Sequence, residues 1–232
     1  ITSNRVRFAG KAAELPELPR DTIEKDLEGK FVMPGMTETH AHLSFADASP
    51  FAIGETLVEE ATLTAVRNAR LMLGSGFTSA VRFGSTYKID VALREAILQG
   101  TVIGPRLLAA GRDLGATASN IDSGGGLSQI ADGPWALRKA VREQRKIGVD
   151  VVKIFIDGEA INKQNPPGEL SFTDEEVLAT VEEAHRRKMR VACHARSAAA
   201  VKQAVKAGVD FIGHANYLDQ EAIDMLHEKK DS

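Results

Sequence analysis

Four histidines and one lysine are the side chains of this sequence best suited to hold metal ions. His40 and His42 stand two residues apart at the end of an apolar stretch, residues 31–44. Side chains alternate between the two faces of a strand, so both imidazoles are expected on the same face. His194 and His214 each end a later apolar segment. Imidazole is a common ligand of zinc, although each of these histidines taken singly has the alternative of a hydrogen-bonded core residue.

Lys153 is the fifth candidate, because it interrupts an otherwise apolar segment at residues 151–156. An ammonium ion in a strand that is buried on both faces is costly unless it is paired. A buried lysine with a lowered pKa can add carbon dioxide and become a carbamate, an anion with two oxygens that can bridge two metal ions. The alternative is a lysine that pairs with a carboxylate inside the fold.

Together, these five side chains predict a pair of divalent ions that share a hydroxide, with zinc as the expected metal and a carbamate on Lys153. Four of the six histidines fall at the ends of predicted strands, where parallel barrels carry their active sites. The other two, His185 and His227, fall on predicted helices among arginines and lysines and are interpreted as solvated surface residues.

Short apolar segments alternate with amphipathic segments along the chain. Besides the strand that ends in the first histidine pair, the predicted strands cover residues 78–83, 106–111, 151–156, 190–194 and 210–214. The predicted helices cover residues 57–73, 91–99, 135–146, 173–188, 198–207 and 221–229. The long loop at residues 112–133 is interpreted either as a lid or as a flexible connection. Regular alternation of this kind predicts a parallel sheet with helices outside it.

Two α/β architectures fit this pattern, a doubly wound open sheet and a closed eight-stranded barrel. An open sheet favours a glycine-rich turn after its first strand, and no glycine directly follows His42. We therefore predict a TIM-like (β/α)8 barrel over residues 31–232, truncated after about six βα units, and the remainder would need on the order of 60 to 100 residues. Residues 1–30, with short strands expected at 5–10 and 22–27, are predicted to form part of a separate small β unit.

Composition narrows the range of partners. The chain has 232 residues, of which 43% are hydrophobic and 26% are charged, as is ordinary for a globular protein. Its net charge of -3 gives no reason to expect nucleic acid or an anionic membrane as a partner. The one cysteine, Cys193, permits no intrachain disulfide and fits a reducing compartment. We expect a cytoplasmic homo-oligomer that acts on a small amide-type molecule and has neither a nucleic-acid nor a membrane partner.

The motifs around the candidate ligands resemble those of the amidohydrolase superfamily. The resemblance extends over nearly the whole chain and is carried by residues 27–42, 152–154, 193–195 and 212–214. The combination is most similar to the branch that contains Xaa-Pro dipeptidases, imidazolonepropionase-like proteins and ochratoxin- or phenylurea-type hydrolases.

This resemblance implies a barrel that carries a small β-sandwich, to which residues 1–30 would contribute. It implies a binuclear metal centre with His40 and His42 on one metal, His194 and His214 on the other, and a carboxylated lysine between them.

One feature of the family has no counterpart in this sequence. The family places its general base, an aspartate, on the eighth strand, and the sequence ends before that strand. Asp219, Asp224 and Asp231 come too early to match it. A chain that truly ended at Ser232 would therefore be expected to be inactive and unstable alone.

The expected reaction is hydrolysis of a C–N bond in an amide, dipeptide, carbamate or urea, with a metal-bridging hydroxide as the nucleophile. Lys153, His194 and His214 are the residues expected to act in catalysis. Two alternatives remain open at this point. The same metal pair could cleave a phosphoester or a lactone, or the histidines could be structural in a metal-free binding barrel.

Substrate contacts are predicted at two further positions. Tyr217 follows the sixth predicted strand and is expected to touch the substrate, with a loop-packing role as the alternative. Arg82, near the end of the second predicted strand, is expected to pair either with a substrate carboxylate or with an acidic neighbour. Arg196 and Asn120 are weaker candidates for the pocket.

Overall fold

The computed structural model of the chain describes residues 5–46, 50–122, 126–159 and 165–230. The chain divides into two compact units, Ile1–Pro34 and Gly35–Ser232. The strands and helices described below belong to the second unit, except for one short helix in the first.

The described part of the first unit is almost entirely exposed to solvent. Its one helix is a 3-10 turn at Ala12–Glu14, and Arg5 forms an isolated bridge. The strands predicted at 5–10 and 22–27 are wrong for this part of the unit, since neither segment forms a strand there. A strand needs a partner to satisfy its backbone hydrogen-bonding groups, and the bridge at Arg5 is the only strand-like pairing described in these two segments. The assignment of residues 1–30 to a β-sandwich stays a prediction.

The second unit contains parallel strands in two hydrogen-bonded sheets. The first sheet has the order β1-β2-β3 and the second has the order β5-β4-β6-β7-β8, and every described strand pair is parallel. The strands are β1 (Met36–Ala41), β2 (Phe77–Arg82), β3 (Arg106–Leu108), β4 (Asp113–Gly115), β5 (Ser128–Ile130), β6 (Val151–Phe155), β7 (Arg190–Ser197) and β8 (Phe211–Tyr217).

The two sheets are joined between β3 and β6. Ala110 forms a parallel bridge with Val151, and the N–H groups of Asp150 and Val151 donate to the carbonyl oxygen of Ala109. The strands therefore run in the continuous order β1-β2-β3-β6-β7-β8. This parallel α/β arrangement confirms the predicted fold class and agrees with successive units of a TIM-like barrel.

The predicted helices all form, with ends that differ from the expected ones by no more than two residues. The helices are α1 (Pro50–Ile53), α2 (Val58–Gly74), α3 (Ile89–Leu98), α4 (Pro134–Lys146), α5 (Asp174–Arg186), α6 (Ala198–Ala207) and α7 (Gln220–Lys230). Only α1 was not expected from the sequence. The start of α5 is fixed by a capping box, in which Thr173 and Glu176 each accept a hydrogen bond from the other's backbone N–H. None of the helices in the described ranges combines the length and the apolar character that crossing a bilayer requires.

The loop predicted at residues 112–133 is more ordered than expected. It carries β4 and β5, and Leu114 of β4 pairs with Ile154 of β6, so the segment extends the sheet. Strands of three residues are too short for alternation to reveal them. Residues 123–125 of this loop lie outside the described residues.

The main core lies where α4, α5 and α6 pack against β6 and β7. All five residues of β6 are buried, as expected of a parallel strand that is covered on both faces. Ile154 and Cys193 of the strands contact this core together with Val141, Val177 and Val201 of the helices. Burial of these apolar surfaces supplies the main free energy that holds the strand ends in place.

Candidate metal centre

The structure brings the four predicted histidines together, two at the end of β1 and two within β7 and β8, which extend three residues beyond the predicted strand ends. The distance between ring centroids is 5.3 Å for His42 and His40, 4.7 Å for His40 and His214, and 4.4 Å for His214 and His194. His40 lies in β1 and His42 just beyond it, while the other two lie in β7 and β8. The four imidazoles thus form one cluster, although their role as metal ligands stays a prediction.

The cluster lines a cavity of about 190 Å³. Lys153 lines the same cavity, so all five predicted ligands face one space. The polar remainder of the lining is Asp113, Asn120 and Glu159, and the apolar walls are Phe45, Ile53, Ile121, Leu127 and Phe155. A small space with largely apolar walls and a few convergent polar groups is the usual form of a ligand site.

Gly213 allows the strands at the two ends of the order to bring their histidines together. A β-carbon at Gly213 would lie 2.8 Å from Cε1 of His40 and 2.9 Å from its Nδ1. Such contacts are shorter than carbon atoms tolerate, so any other residue at this position of β8 would displace the His40 ring.

The backbone in the middle of β8 is strained. His214 and Ala215 have φ angles of 76° and 47°, in the left-handed region that residues with a β-carbon rarely adopt. The pairing of β8 with β7 also shifts register between Ala195 and Ser197. A local irregularity of this kind changes the direction of a side chain, and here it accompanies the turn of His214 toward the cavity.

Aromatic rings hold three of the imidazoles in place. The stacked pairs have centroid distances of 3.8 to 4.4 Å and interplanar angles of 9 to 23°. They are Phe45 on His42, Phe83 on His40 and Phe155 on His194. Stacking covers the ring faces and leaves the nitrogen atoms at the ring edges.

Backbone carbonyls fix the proton on two of these rings. Nδ1 of His42 lies 3.2 Å from the carbonyl oxygen of Gly84, and Nε2 of His194 lies 3.3 Å from that of Gly158. A carbonyl oxygen only accepts, so in each ring the contacting nitrogen carries the proton. The other nitrogen keeps its lone pair, which is the form of imidazole that binds a metal ion.

Burial also keeps the imidazoles neutral. It lowers the pKa of His40 to about 3, of His194 to about 2 and of His214 to about 4, with the charge of Lys153 as a further cause in each case. Burial likewise holds the pKa of His42 well below its usual range. Neutral imidazoles need not lose a proton before they bind a metal ion.

Lys153 is buried, with 1% of its surface exposed. Its ammonium group donates to the carbonyl oxygen of Phe83 at 3.2 Å and lies 5.0 and 5.5 Å from the ring centroids of Phe83 and Phe155. No described carboxylate forms an ion pair with it, which disfavours the alternative of a paired lysine. Burial lowers the pKa of Lys153, while the charge of Asp113 raises it. The amine is therefore easier to deprotonate than that of an exposed lysine.

Asp113 was not found by the sequence analysis. It is 3% exposed, and its Oδ1 has no hydrogen-bond partner among the described residues. Burial raises the pKa of Asp113 to about 7, against the lowering effect of Lys153. An aspartate in a loop rich in Gly and Ser looks like a surface residue, and only the pairing of β4 with β6 places it inside.

Two partners were considered for Arg82 from the sequence, a substrate carboxylate and an acidic neighbour. The structure shows a pair with an acidic neighbour. Its Nε and Nη2 each donate to the Asp90 carboxylate at 2.9 Å, and both side chains are fully buried. Arg82 is not among the described residues that line the cavity. Its role in substrate binding stays a prediction, which this pairing does not support.

The other predicted substrate contacts differ in position. Asn120 lines the cavity, whereas Tyr217 at the end of β8 is 58% exposed and is not among the described lining residues. Arg196 pairs with Glu159, which does line the cavity, and with Asn216. The substrate-binding role of Tyr217 remains a prediction.

The donor atoms are of the types that bind divalent metal ions, but they are not arranged in a coordination geometry. Within the described ranges, no three His, Cys, Asp or Glu side chains already stand in an arrangement that could hold a metal ion. The fit rests on four neutral imidazoles around one cavity and on a buried amine with a lowered pKa. A carbamate on Lys153 would add the oxygen donors that the imidazoles lack.

Comparison with known proteins identifies close structural relatives. Ochratoxinase from Aspergillus niger is 28% identical over 254 aligned residues, which cover 99% of this chain and 52% of that protein. A prolidase crystallised with N-methylphosphonate-L-proline has a TM-score of 0.83 and 29% identity, over 92% of this chain and 55% of that one. A Xaa-Pro dipeptidase with bound methionine has a TM-score of 0.76 and 31% identity, over 85% and 52%.

The chain spans about half the length of the curated relatives it matches. The model of the amidohydrolase family matches residues 31–229, which is most of the sequence and includes the strands that carry all five predicted ligands. These relatives fall in the branch of the family that the sequence motifs predict. The chain belongs to the amidohydrolase family.

Proposed function

We propose that this chain carries the metal centre of a hydrolase that cleaves a C–N bond in an amide, dipeptide, carbamate or urea. The observation that carries the proposal is the convergence of four neutral imidazoles and a buried lysine on one cavity. The relatives support the same bond type, since they include a prolidase and a Xaa-Pro dipeptidase.

The residues present divide into two sets of ligands. His40 and His42 would hold one divalent ion, and His194 and His214 would hold the other. Lys153 would bridge the two as a carbamate, formed when its neutral amine adds carbon dioxide and releases a proton. Two such ions, zinc in our proposal, would supply a hydroxide as the nucleophile near neutral pH and polarise the substrate carbonyl.

The rest of the cavity would position the substrate and limit access of water. Phe155 stacks on His194 at 3.8 Å, and Phe45 stacks on His42 at 4.4 Å, so both rings are held while the nitrogen that does not contact a carbonyl stays available in each. The apolar walls exclude bulk water and strengthen the electrostatic interactions of the reacting groups. A metal site keeps its geometry when packing holds its ligands in fixed orientations.

A panel of substrates tests the proposed reaction. A dipeptide, an N-acyl amino acid, a carbamate and a phenylurea would be compared with a phosphodiester and a lactone, using zinc-supplemented protein. We expect hydrolysis of at least one C–N compound and its loss in His40→Ala and Lys153→Ala. His227→Ala, at an exposed position of α7, is the matched control and should keep full turnover.

Cleavage of the phosphodiester or the lactone alone would replace the proposal with a different hydrolase on the same centre. Near-normal turnover of a C–N compound by Lys153→Ala would refute the role assigned to that lysine.

A further inference from the structure

A carboxyl group that the proposed reaction does not use lies in the same cavity. Asp113 is 3% exposed, lines the cavity, and has no hydrogen-bond partner for its Oδ1 among the described residues. A buried acceptor without a donor costs free energy, because it has lost its water and gained no replacement. A donor brought by a ligand would remove this cost.

The position of the carboxyl group is built into the fold. A β-carbon at Gly84 would lie 1.9 Å from Oδ1 of Asp113, so the carboxyl occupies space that only a glycine leaves open. The carbonyl oxygen of the same glycine contacts Nδ1 of His42 at 3.2 Å. Gly84 is thus adjacent both to the Asp113 carboxyl and to the ring of a candidate metal ligand.

A second acceptor in the cavity also lacks a partner. Asn120 lines the cavity, and its Oδ1 is buried without a hydrogen bond from any described residue. Its backbone N–H is already used, since it donates to Oδ1 of Asn165 at 3.0 Å. Two side chains that line the cavity therefore carry an unsatisfied oxygen acceptor, one of them in a carboxyl group, and their common complement is a group with several N–H donors.

The nearby cations do not satisfy Asp113. The guanidinium of Arg82 is bound to Asp90, and the ammonium of Lys153 donates to a backbone carbonyl. Lys153 still attracts the Asp113 carboxylate over a longer distance, and a carbamate on that lysine would replace this attraction with repulsion. In the state proposed for catalysis, the metal ions would supply positive charge to the cavity but no hydrogen-bond donor, so a donor to Asp113 would have to come from the ligand.

We propose that Asp113, together with Asn120, determines specificity by accepting hydrogen bonds from a protonated amino group of the substrate. The preferred substrates are then small amides or dipeptides with a free amino group near the bond that is cut. This inference rests on the proposed function, because it assigns the amine to that enzyme's substrate. The cavity volume of about 190 Å³ is below the range of about 300–1,000 Å³ typical of sites for drug-sized ligands and suits a small acyl group.

Two probes that contain no cleavable bond test the inference apart from turnover. Alaninol and 1-propanol differ mainly by the amino group, and their affinities for the zinc-supplemented whole chain can be compared by NMR titration. We expect alaninol to bind about tenfold more tightly, because a charge-assisted hydrogen bond to a buried carboxylate adds at least that much. In Asp113→Asn the preference should fall to less than about twofold.

Glu159→Gln is the matched control, because it removes a carboxylate from the same cavity that is already paired with Arg196. This variant should keep the preference for alaninol over 1-propanol. Such a result would show that the amino group is recognised by a specific hydrogen bond and not by the overall negative charge of the cavity. Asn120→Ala, a second variant, should reduce the preference in part. These outcomes would support the inference.

Equal binding of the two probes by the unmodified chain, binding of neither, or a preference that survives in Asp113→Asn would overturn it. The last result would point to the metal ions as the binders of the amine. Hydrolysis of alaninamide and propionamide, measured in parallel, separates this inference from the proposed function. Selective binding without amide hydrolysis would refute only the proposed function, and equal hydrolysis of both amides without selective binding would refute only the role of Asp113.

Discussion

The imidazole rings of His40 and His214 lie 4.7 Å apart, although β1 and β8 stand at opposite ends of the strand order. The two strands are not hydrogen-bonded to each other in the described sheets, so the contact results from curvature of the whole strand array. Barrel strands curve in this way around a common interior. The approach of these two rings is what turns four separate histidines into one site.

Gly213→Ala should disturb this approach. The new β-carbon would lie within 3 Å of the His40 ring, so either the ring or β8 must move. We expect zinc affinity, measured by competition with a chelator, to fall at least about tenfold, and the free energy of unfolding to fall by about 1–3 kcal/mol. Gly74→Ala is the control, because a β-carbon there meets no atom within 4 Å. Unchanged zinc affinity in Gly213→Ala would show that the close approach is not needed.

Glu183 should make the protein less stable in acid. The pKa of Glu183 is lowered from 4.5 to about 2, mainly by hydrogen bonds from Arg142 and further by those from Arg187. Burial of the carboxylate opposes this shift. Because the folded-state pKa is depressed, the stabilisation is complete above about pH 4.5 and is lost as the pH falls toward 2. Glu183→Gln should therefore lower the free energy of unfolding at pH 7 and flatten its decline in acid, as measured by urea unfolding at several pH values. Glu182→Gln is the control, because the Glu182 carboxylate is half-exposed, and it should change neither the free energy of unfolding at pH 7 nor its decline in acid. If stability falls with pH in Glu183→Gln as steeply as in the unmodified protein, Glu183 is not the source of the acid sensitivity.

Arg82 and Asp90 should behave as a structural pair. Removal of one partner leaves a buried charge unpaired, so Asp90→Ala should destabilise the protein by about 3–5 kcal/mol in urea unfolding. The double variant Arg82→Met/Asp90→Leu should recover a large part of that loss, because neither charge remains. If the double variant is instead stable but shows a specific rise in KM, Arg82 contributes to substrate binding as first predicted.

Lys153 should carry carbon dioxide when metal is bound. With zinc and ¹³C-labelled bicarbonate, we expect one carbamate resonance in the ¹³C NMR spectrum, because burial lowers the pKa of this amine and favours its neutral form. Lys153→Ala should abolish the resonance. Lys202→Ala should retain it, because hydrogen bonds to Asp219 and Glu221 raise the pKa of the Lys202 amine and keep it charged. A resonance that persists in Lys153→Ala would place the carbamate elsewhere.

Much of the fold could be predicted because the signals were local. The capping box at Thr173 fixed the start of α5, and the apolar run around Lys153 identified β6. The histidines were found because each follows an apolar segment; His40 and His42 do stand at the end of β1, whereas β7 and β8 continue three residues beyond His194 and His214. Their convergence followed from the rule that the C-terminal ends of parallel strands share one edge.

The parts that escaped prediction depend on contacts between distant residues. Asp113 is inside the fold only because β4 pairs with β6, and a strand of three residues shows no periodicity. The bidentate bond of Arg82 to Asp90 depends on the relative placement of β2 and α3. Strand propensity at 5–10 and 22–27 did not suffice, because a strand also needs a partner.

Metal content is the most direct test of the central claim, that His40, His42, Lys153, His194 and His214 together hold two ions. The protein would be purified without chelator, supplied with zinc and bicarbonate, desalted and analysed by inductively coupled plasma mass spectrometry. We predict about two equivalents of divalent metal per chain, with a loss of about one equivalent in His40→Ala/His42→Ala and no loss in His227→Ala. Less than one equivalent in the unmodified protein, or an unchanged content in the double variant, would contradict the claim.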